Sequence, residues 1–335
     1  MIGGKTGKTR MIDIAERVGV SKGAVACVLN GTGKNTIRVS ESKRTEILRA
    51  AREMNYVPNM VARSLAGKNS MKIGALIDSH APLCNYRTLW ALEEAAAAGG
   101  YRLMIGQAHN DPQSLFDCCE NFIRHGLDGV ICMAHEYPGR EHEVRDYFAD
   151  KRNLVFLDPP GWDAPHLRID REAGMMQAVR QLQETGRRRI GLWRRDSLDC
   201  FSYRQRLNAF RRCCDGEMLV SRDLDLPAYL DVIREQRLDA VIAANDVLAA
   251  RLLRELLLQG IRVPDDIALI GHDNDNFSAF SYPSITTIDQ QDEQAGRQLF
   301  ELLMKQFRGE KADAPAPVLE SRLIIRESSV KQNGI

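Results

Sequence analysis

The sequence predicts an α/β protein in two parts, a small helical head with a helix-turn-helix and a larger body of two parallel-sheet lobes. Two short helical patterns near the amino end predict the head. From residue 71 onward, short apolar runs alternate with amphipathic stretches, which is typical of parallel sheets built from βαβ units. At 335 residues the chain is too long for one small core and is expected to form two or three domains.

The first helix of the head is predicted from the spacing of its apolar residues. Met11, Ile14, Ala15 and Val18 recur three and four positions apart and therefore line one face of a helix. Gly19 follows the last of them, where a left-handed residue that ends a helix is least costly as glycine. A tight turn is therefore expected at this point.

The second helix of the head is expected to begin at Ser21, whose side-chain oxygen can cap free backbone N–H groups. Its buried stripe is formed by Val25, Val28 and Leu29. The opposite face consists of Lys22, Gly23, Ala26 and Cys27. Two helices set across a tight turn form a helix-turn-helix, whose second helix can enter the major groove of DNA.

The head resembles the amino end of the lactose-repressor (LacI/GalR-type) family of bacterial transcription regulators. The shared positions are Asp13-Ile14-Ala15, Val18-Gly19-Val20-Ser21, Val25, Val28, Leu29 and Asn30. Ala24 and Ala26 replace the usual threonine and serine, and Cys27 stands where an arginine or another polar residue is common. The resemblance implies DNA contacts from Ser21, Lys22, Gly23, Cys27, Asn30, Arg44, Asn59 and Leu65.

Charge is distributed unevenly along the chain. Residues 1–68 contain thirteen lysines and arginines but five aspartates and glutamates, a net charge of +8, so the remainder carries −7 within a total of +1. A basic head on an acidic body is typical of a protein that binds nucleic acid through one domain. A solvated basic face is the alternative, and the coincidence with a helix-turn-helix disfavours it.

A third helix and a hinge are expected after the helix-turn-helix. The third helix is predicted from about Ser40 to Met54, with Ile47, Leu48, Ala51 and Met54 facing inward. A two-turn helix at residues 58–68 follows and is too short to be stable alone, so a plain linker is the alternative. By resemblance this segment is the family's hinge helix, which orders when two copies meet on DNA, and Leu65 is the wedge that enters the minor groove.

The body is predicted from seven apolar runs that read as strands and three stretches that read as helices. The strands are residues 73–77, 103–105, 129–133, 154–157, 190–193, 240–244 and 267–270, and the helices are 114–124, 173–183 and 247–259. The body resembles the periplasmic sugar-binding-protein fold that this regulator family uses. The most specific matching segment is residues 283–290, followed by Gly296.

Four polar residues occupy positions where the family places contacts to a small-molecule effector: Asp158, Arg206, Asn245 and Asp273. Ligands of such folds bind beyond the carboxyl ends of the strands, in the cleft between lobes. Two carboxylates, a guanidinium and an amide can pair with several sugar hydroxyls. Taken singly, each residue could equally be a helix cap or part of an ion pair.

The domain boundaries follow from these assignments. The helix-turn-helix domain is expected at residues 9–57, the hinge at 58–68 and an effector-binding and dimerisation domain at 71–331. Lobe one is placed at about 71–161 and 289–318, and lobe two at about 162–288 and 319–331. The chain is interpreted as a cytoplasmic homodimer that binds a pseudo-palindromic DNA operator, represses transcription and responds to a carbohydrate-like effector.

Other classes of function are less consistent with the sequence. No run is long and apolar enough for a membrane span, no signal peptide is recognisable, and the eight cysteines contain no C-x-x-C pair. No G-x-G-x-x-G follows a strand, and no nucleophile–base spacing or metal cluster is present, so no cofactor, metal or enzymatic activity is expected. A sugar transport protein and an enzyme remain the alternatives, as does an anionic effector held by Arg194 and Arg195.

Overall fold

A computed structural model describes residues 9–30, 37–56, 69–195, 200–213, 218–221, 226–310 and 315–330. The chain divides into two compact units, Met1–Ser70 and Met71–Ile335. The first unit is the predicted head, and the second is the predicted body. The hinge at residues 58–68, with Asn59 and Leu65, lies outside the described residues.

The head consists of three helices, α1 Met11–Val18, α2 Lys22–Asn30 and α3 Glu41–Glu53. Gly19 ends α1 in the left-handed conformation, with φ of 70°, as the turn required. Ser21 caps α2, because its Oγ accepts a hydrogen bond from the Ala24 amide at 3.1 Å. The helix-turn-helix expected from the spacing is therefore confirmed.

The core of the head combines all three helices. Its buried members are Ile14, Ala15, Val25, Val28, Ile47, Ala50 and Ala51. The prediction that Leu48 faces inward is wrong, since it is 37% exposed. Ala50 takes that place, because Ile47, Ala50 and Ala51 recur at helical spacing on the face toward α1 and α2.

The body contains twelve described strands. In chain order they are β1 Lys72–Ile77, β2 Arg102–Gln107, β3 Gly129–Cys132, β4 Leu154–Leu157, β5 His166–Asp170, β6 Ile190–Arg195, β7 Met218–Ser221, β8 Ala240–Ala243, β9 Ala268–His272, β10 Thr286–Asp289, β11 Val318–Glu320 and β12 Arg322–Ile324. Each of the seven apolar runs corresponds to a strand, and residues 133, 244 and 267 at the ends of three runs lie one residue outside it. Five strands were missed, namely β5, β7, β10, β11 and β12.

Eight described helices connect these strands. They are α4 Leu83–Ala98, α5 Pro112–Arg124, α6 Glu141–Phe148, α7 Arg171–Glu184, α8 Phe201–Cys213, α9 Leu226–Glu235, α10 Asp246–Leu258 and α11 Asp292–Phe307. The three predicted helices correspond to α5, α7 and α10. Single 3-10 turns lie at Asn276–Ala279 and Glu327–Ser329.

The strands form two six-stranded sheets, in the orders β11-β5-β4-β3-β1-β2 and β12-β10-β9-β8-β6-β7. Every pairing in the first sheet is parallel, and in the second only β10 with β12 is antiparallel. Each sheet is covered by helices on both faces, which is why the runs of central strands are almost entirely apolar. The two predicted parallel-sheet lobes are confirmed.

The chain changes sheet three times within the described residues, between β5 and α7, between β10 and α11, and between β11 and β12. The prediction that lobe one first ends at residue 161 is wrong, because β5 pairs with β4 and β11 in the first sheet. This strand alternates buried Leu167 and Ile169 with polar neighbours, so it offered no apolar run to recognise. The chain was also expected to return to lobe one at about residue 289. In the structure Asp289 still belongs to β10 of the second sheet, so the return follows this residue.

Candidate DNA-binding head and ligand cleft

The second helix of the head presents a smaller free face than its spacing suggested. Lys22 is exposed at its amino end, and Arg44 is exposed on α3. Cys27 is only 8% exposed, and its Sγ lies 3.6 Å from the Ile37 carbonyl oxygen. The prediction that Cys27 lies on an open DNA-facing side is therefore wrong for the head as described.

The position of Ile37 explains why Cys27 is covered. A Cβ added to Gly23 would come within 3.1 Å of the Ile37 side chain. Gly23 and Cys27 are four residues apart and share one face of α2, so Ile37 lies over both positions. Gly23 permits that close approach because it has no side chain. Ser21 is occupied in capping α2, and the side chain of Asn30 lies outside the described residues.

In the body, three of the four proposed effector residues belong to one buried polar cluster near the carboxyl ends of the strands. Asp158 follows β4 and is 5% exposed, Asp273 follows β9 and is 4% exposed, and Arg206 on α8 is 7% exposed. Asp158 and Asp273 both have left-handed backbones, with φ of 68° and 98°. Non-glycine residues hold such conformations where the surroundings enforce them, most often at functional sites.

The fourth proposed effector residue, Asn245, has a structural role. Its Oδ1 accepts a hydrogen bond from the Leu248 amide at 2.8 Å and so caps α10. Among the described residues, no hydrogen bond joins Asn245 to the buried cluster. The helix-cap alternative considered for single polar residues thus describes this position.

The carboxylate of Asp273 is held by two neighbours. His272 Nδ1 lies 2.8 Å from its Oδ1, and Gln290 Nε2 donates to the same oxygen at 2.5 Å. Burial alone would raise the pKa of this carboxyl, but the hydrogen bond from His272 and the field of Arg206 bring it below its usual value. Burial, with Arg206 nearby, lowers the pKa of His272 to about 4. The pair is therefore an ionised carboxylate beside a neutral imidazole.

Asp158 is held by a residue that the sequence did not indicate. Arg171 Nη2 lies 2.7 Å from Asp158 Oδ2, and the Ile169 amide donates to Asp158 Oδ1 at 3.0 Å. Arg171 Nε donates to Gln290 Oε1 at 2.5 Å. A continuous chain of polar contacts therefore runs from Asp158 through Arg171 and Gln290 to Asp273.

Cys84 and Arg206 complete the cluster. Gln290 Nε2 lies 3.6 Å from Cys84 Sγ, and burial, together with Asp273, raises the pKa of this thiol well above its usual value, so it stays neutral. Arg206 Nη1 donates to the Ala244 carbonyl at 2.7 Å, and its guanidinium lies over the Tyr203 ring at 4.9 Å. Among the described residues, Arg206 Nε and His272 Nε2 are buried polar atoms without a hydrogen-bond partner.

The sequence missed Arg171, Gln290, Cys84 and His272. Arg171 and Gln290 each stand just past the end of a strand where the chain changes sheet, and neither end was recognised because β5 and β10 were missed. Cys84 is near the start of α4 and carries no signal beyond its residue type. The side chains of Arg194 and Arg195 lie outside the described residues, so the anionic alternative stays a prediction.

Two further features concern membrane spans and metal sites. Within the described ranges, no helix is long and apolar enough to cross a membrane. The same ranges contain no group of three or more histidine, cysteine, aspartate or glutamate side chains that could hold a metal ion.

Comparison with known families assigns both parts of the chain. Residues 10–59 match the model for bacterial regulatory proteins of the lacI family, and residues 179–329 match a periplasmic binding protein-like domain. Together the two matches cover more than half of the chain. The chain belongs to the LacI family of bacterial regulatory proteins. It is a DNA-binding transcription regulator with a ligand-binding body, as the head and cleft predicted.

Named relatives of this LacI-family chain are repressors. It is 27% identical over 341 residues to the HTH-type transcriptional repressor PurR of Mannheimia succiniciproducens, covering 95% of this chain and 98% of the relative. It is 27% identical over 336 residues to the HTH-type transcriptional repressor CytR of Escherichia coli K12, covering 95% and 96%. These matches span the head, hinge and body together.

Solved structures share the fold over nearly the whole chain. The lac repressor dimer bound to operator and the anti-inducer ONPF matches with a TM-score of 0.83 at 24% identity, covering 97% of this chain and 100% of that one. The transcriptional regulator CelR in complex with cellobiose matches with a TM-score of 0.66 at 23% identity, covering 96% and 100%.

Proposed function

We propose that this chain is a homodimeric repressor that binds a pseudo-palindromic operator through α2 and loses or gains operator affinity when a small polar molecule enters the cleft. The observation that carries the proposal is the combination of an exposed basic helix-turn-helix with a buried, multiply hydrogen-bonded polar cluster at the strand ends. A ligand that prefers one arrangement of the lobes shifts the population of DNA-binding states. A protein of this activity works in the cytoplasm, where bacterial DNA lies.

The charge balance of the cluster favours a neutral effector. Arg171 and Arg206 supply two positive charges, and Asp158 and Asp273 supply two negative charges, so the described cluster has no excess of either sign. Hydroxyl groups can both donate to Asp273 and accept from the unpartnered Arg206 Nε. These contacts support a carbohydrate-like effector, and CelR was solved with cellobiose.

Binding without turnover fits the same groups. The Cys84 thiol has a pKa raised by burial and Asp273, so it is a poor nucleophile. Within the part of the chain that the structure describes, no serine or cysteine is hydrogen-bonded to His272 Nε2, the ring nitrogen that a nucleophile would contact. The named relatives are repressors, and we extend that activity to this chain.

Exposed rings on the body support association of two copies. Trp90 on α4 is 61% exposed, and Phe280 and Tyr282 are 86% and 87% exposed. Large aromatic side chains exposed to this degree are typical of interfaces, and the lac repressor was solved as a dimer. Analytical ultracentrifugation of Trp90→Glu and Phe280→Glu tests this role, and dimers of unchanged affinity would exclude both rings from the interface.

The decisive experiment selects DNA from a random pool with the full chain. We expect enrichment of a symmetric sequence, with half-sites spaced by about one helical turn. Lys22→Ala should reduce affinity for the selected site, whereas Arg254→Ala, an exposed charge on α10 of the body, serves as the matched control. Enrichment of no common sequence, or equal loss in both variants, would overturn the proposal.

The effector arm of the proposal is tested with calorimetry. A panel of neutral sugars and sugar phosphates is titrated into the full chain, and the strongest binder is then added to the selected DNA complex. Arg206→Ala should lower its affinity about tenfold or more by removing a buried donor. A preference for phosphorylated sugars that is lost in Arg194→Ala/Arg195→Ala would establish the anionic alternative instead.

Leu65 provides a separate test of the hinge. Its place in the segment that matches the family's hinge supports a wedge that enters the minor groove and bends the operator. Leu65→Ala should weaken binding and reduce DNA bending in a gel-shift series, while effector binding stays unchanged. Equal affinity and equal bending in the variant would remove Leu65 from the interface.

A further inference from the structure

Arg171 has an unusual set of partners for an arginine at the start of a helix. Its side chain is 6% exposed, and its guanidinium contacts four residues. Nη2 pairs with Asp158, Nε donates to Gln290, and Nη1 lies 3.3 Å from the Ile169 carbonyl and 3.4 Å from Gln205 Oε1. Every nitrogen of the guanidinium therefore has at least one acceptor within reach.

These partners come from both lobes. Asp158 follows β4 and Ile169 lies in β5, both in the first sheet, whereas Gln205 lies on α8, which packs against the second sheet. Gln290 stands where the chain passes between the sheets. One side chain thus joins the two lobes.

The same contacts occupy polar groups of the cleft. Both carboxylate oxygens of Asp158 are used, one by Arg171 and one by the Ile169 amide. The Gln290 amide is used at both ends, since its oxygen accepts from Arg171 and its nitrogen donates to Asp273. Among the described residues, the unpartnered atoms Arg206 Nε and His272 Nε2 belong to the lobe of the second sheet, and His135, which interacts electrostatically with Asp158 in the first lobe, has both ring nitrogens unpartnered.

We propose that Arg171 is a built-in occupant of the cleft that positions Asp158 and Gln290 and links the two lobes. This inference rests on the proposed function, because it concerns the effector cleft. An effector then finds open hydrogen-bonding groups at Arg206 and His272 on the second lobe and at His135 near Asp158 on the first. A ligand that engages Asp158 has to compete with a tethered, bidentate-capable guanidinium, so Arg171 restricts which molecules the cleft accepts.

Removing the Arg171 side chain leaves a space beside the Asp158 carboxylate that a small guanidinium ion can fill. Arg171→Ala leaves the Asp158 carboxylate buried without its cation, which is strongly destabilising. We expect the apparent Tm of the full chain to fall by roughly 6 °C or more. Methylguanidinium chloride, compared with sodium chloride at equal ionic strength, should restore most of this Tm in a saturable manner.

The matched control is the double variant Arg171→Ala/Asp158→Ala. It has the same space but lacks the anion, so methylguanidinium should raise neither its Tm nor that of the unsubstituted chain. Hydrogen exchange at the Phe201 amide reports the lobe contact directly, because this amide of α8 donates to Glu136 Oε1 of the first lobe at 2.5 Å. Exchange there should accelerate in Arg171→Ala and slow again with methylguanidinium, a response that a merely stabilising residue would not produce.

A conservative variant guards against a failure to fold. Arg171→Lys keeps the positive charge near Asp158 but cannot bind Asp158 and Gln290 together. It should fold, exchange faster at Phe201 and show no gain from methylguanidinium. A wild-type Tm and exchange rate in both single variants would overturn the inference, as would equal rescue of the double variant. Loss of operator selection in the unsubstituted chain would count against the proposed function alone, since none of these measurements involves DNA.

Discussion

The head and the cleft use polar residues in opposite ways. In the head, Lys22 and Arg44 are exposed and available to DNA. In the cleft, Asp158, Arg171 and Asp273 are buried and already paired with each other or with neighbours. The difference teaches that a DNA-binding face can be recognised from exposed charge on a patterned helix, whereas a ligand cleft is defined by pairings that only the folded chain creates.

The largest effect is expected in the cleft, because a buried charge there cannot lose its partners without a penalty. Asp273→Ala removes the anion beside His272, Gln290 and Arg206, and should lower the free energy of unfolding by roughly 3–5 kcal/mol. Urea unfolding of the full chain measures this change. Asp231→Ala, which breaks an exposed pair with Arg234, should change it by less than about 0.5 kcal/mol. Equal stabilities for the two variants would remove the distinction between cleft and surface charge.

The next effect concerns acid stability of the first lobe. His135 is 5% exposed, and burial lowers its pKa to about 4. As pH falls below 6.5, His135 is protonated in the unfolded chain but stays neutral in the folded chain. The free energy of unfolding therefore decreases between pH 6.5 and pH 4. The unfolding free energy of wild type, relative to His135→Gln, should therefore fall by about 2 kcal/mol between pH 7 and pH 5.

Wild type has to be compared with His135→Gln because buried carboxyls change the unfolding free energy in the opposite direction as pH falls. Burial raises the pKa of Asp246 to about 8 and that of Asp292 to about 6, so both folded carboxyls bind protons before their unfolded counterparts do. If His135→Gln showed the wild-type slope, the histidine would not be buried in solution.

A smaller effect is expected at the exposed charges of the head. Lys22→Ala and Arg44→Ala should each weaken binding to the selected operator about three- to tenfold and reduce the slope of log affinity against log salt by about one. Stability should be nearly unchanged, because both side chains are exposed. Fluorescence anisotropy at several salt concentrations measures both quantities. A loss of affinity with an unaltered salt slope would assign the residue to base contact rather than phosphate contact.

The last comparison concerns Cys27, which tests how much of α2 is free. Because its thiol packs toward the Ile37 carbonyl, alkylation in the free protein should be at least about tenfold slower than at the less buried Cys200. Mass spectrometry of the peptides after timed iodoacetamide treatment gives both rates from one sample. Equal rates would restore Cys27 to the open face of the recognition helix.

The sequence by itself determined the helix-turn-helix, the alternation of strands and helices, and the basic head on an acidic body. Each depends on local spacing or on simple counting: Val25 and Val28 mark a helix face, and the run at residues 240–244 marks a buried strand whatever lies beside it. It also placed Asp158 and Asp273 just past strand ends, whereas Arg206 was named only by resemblance to the family motif.

Only the tertiary structure decided which of these residues meet. Arg171 reaches Asp158 across thirteen residues of chain and Gln290 across 119, and no local pattern encodes such a pairing. Strand β5 was missed because it alternates like an edge strand, although β11 covers its outer side. Cys27 has the spacing of an exposed position but is buried by the segment at Ile37. Helix periodicity reports which residues share a face, but burial depends on what packs against that face.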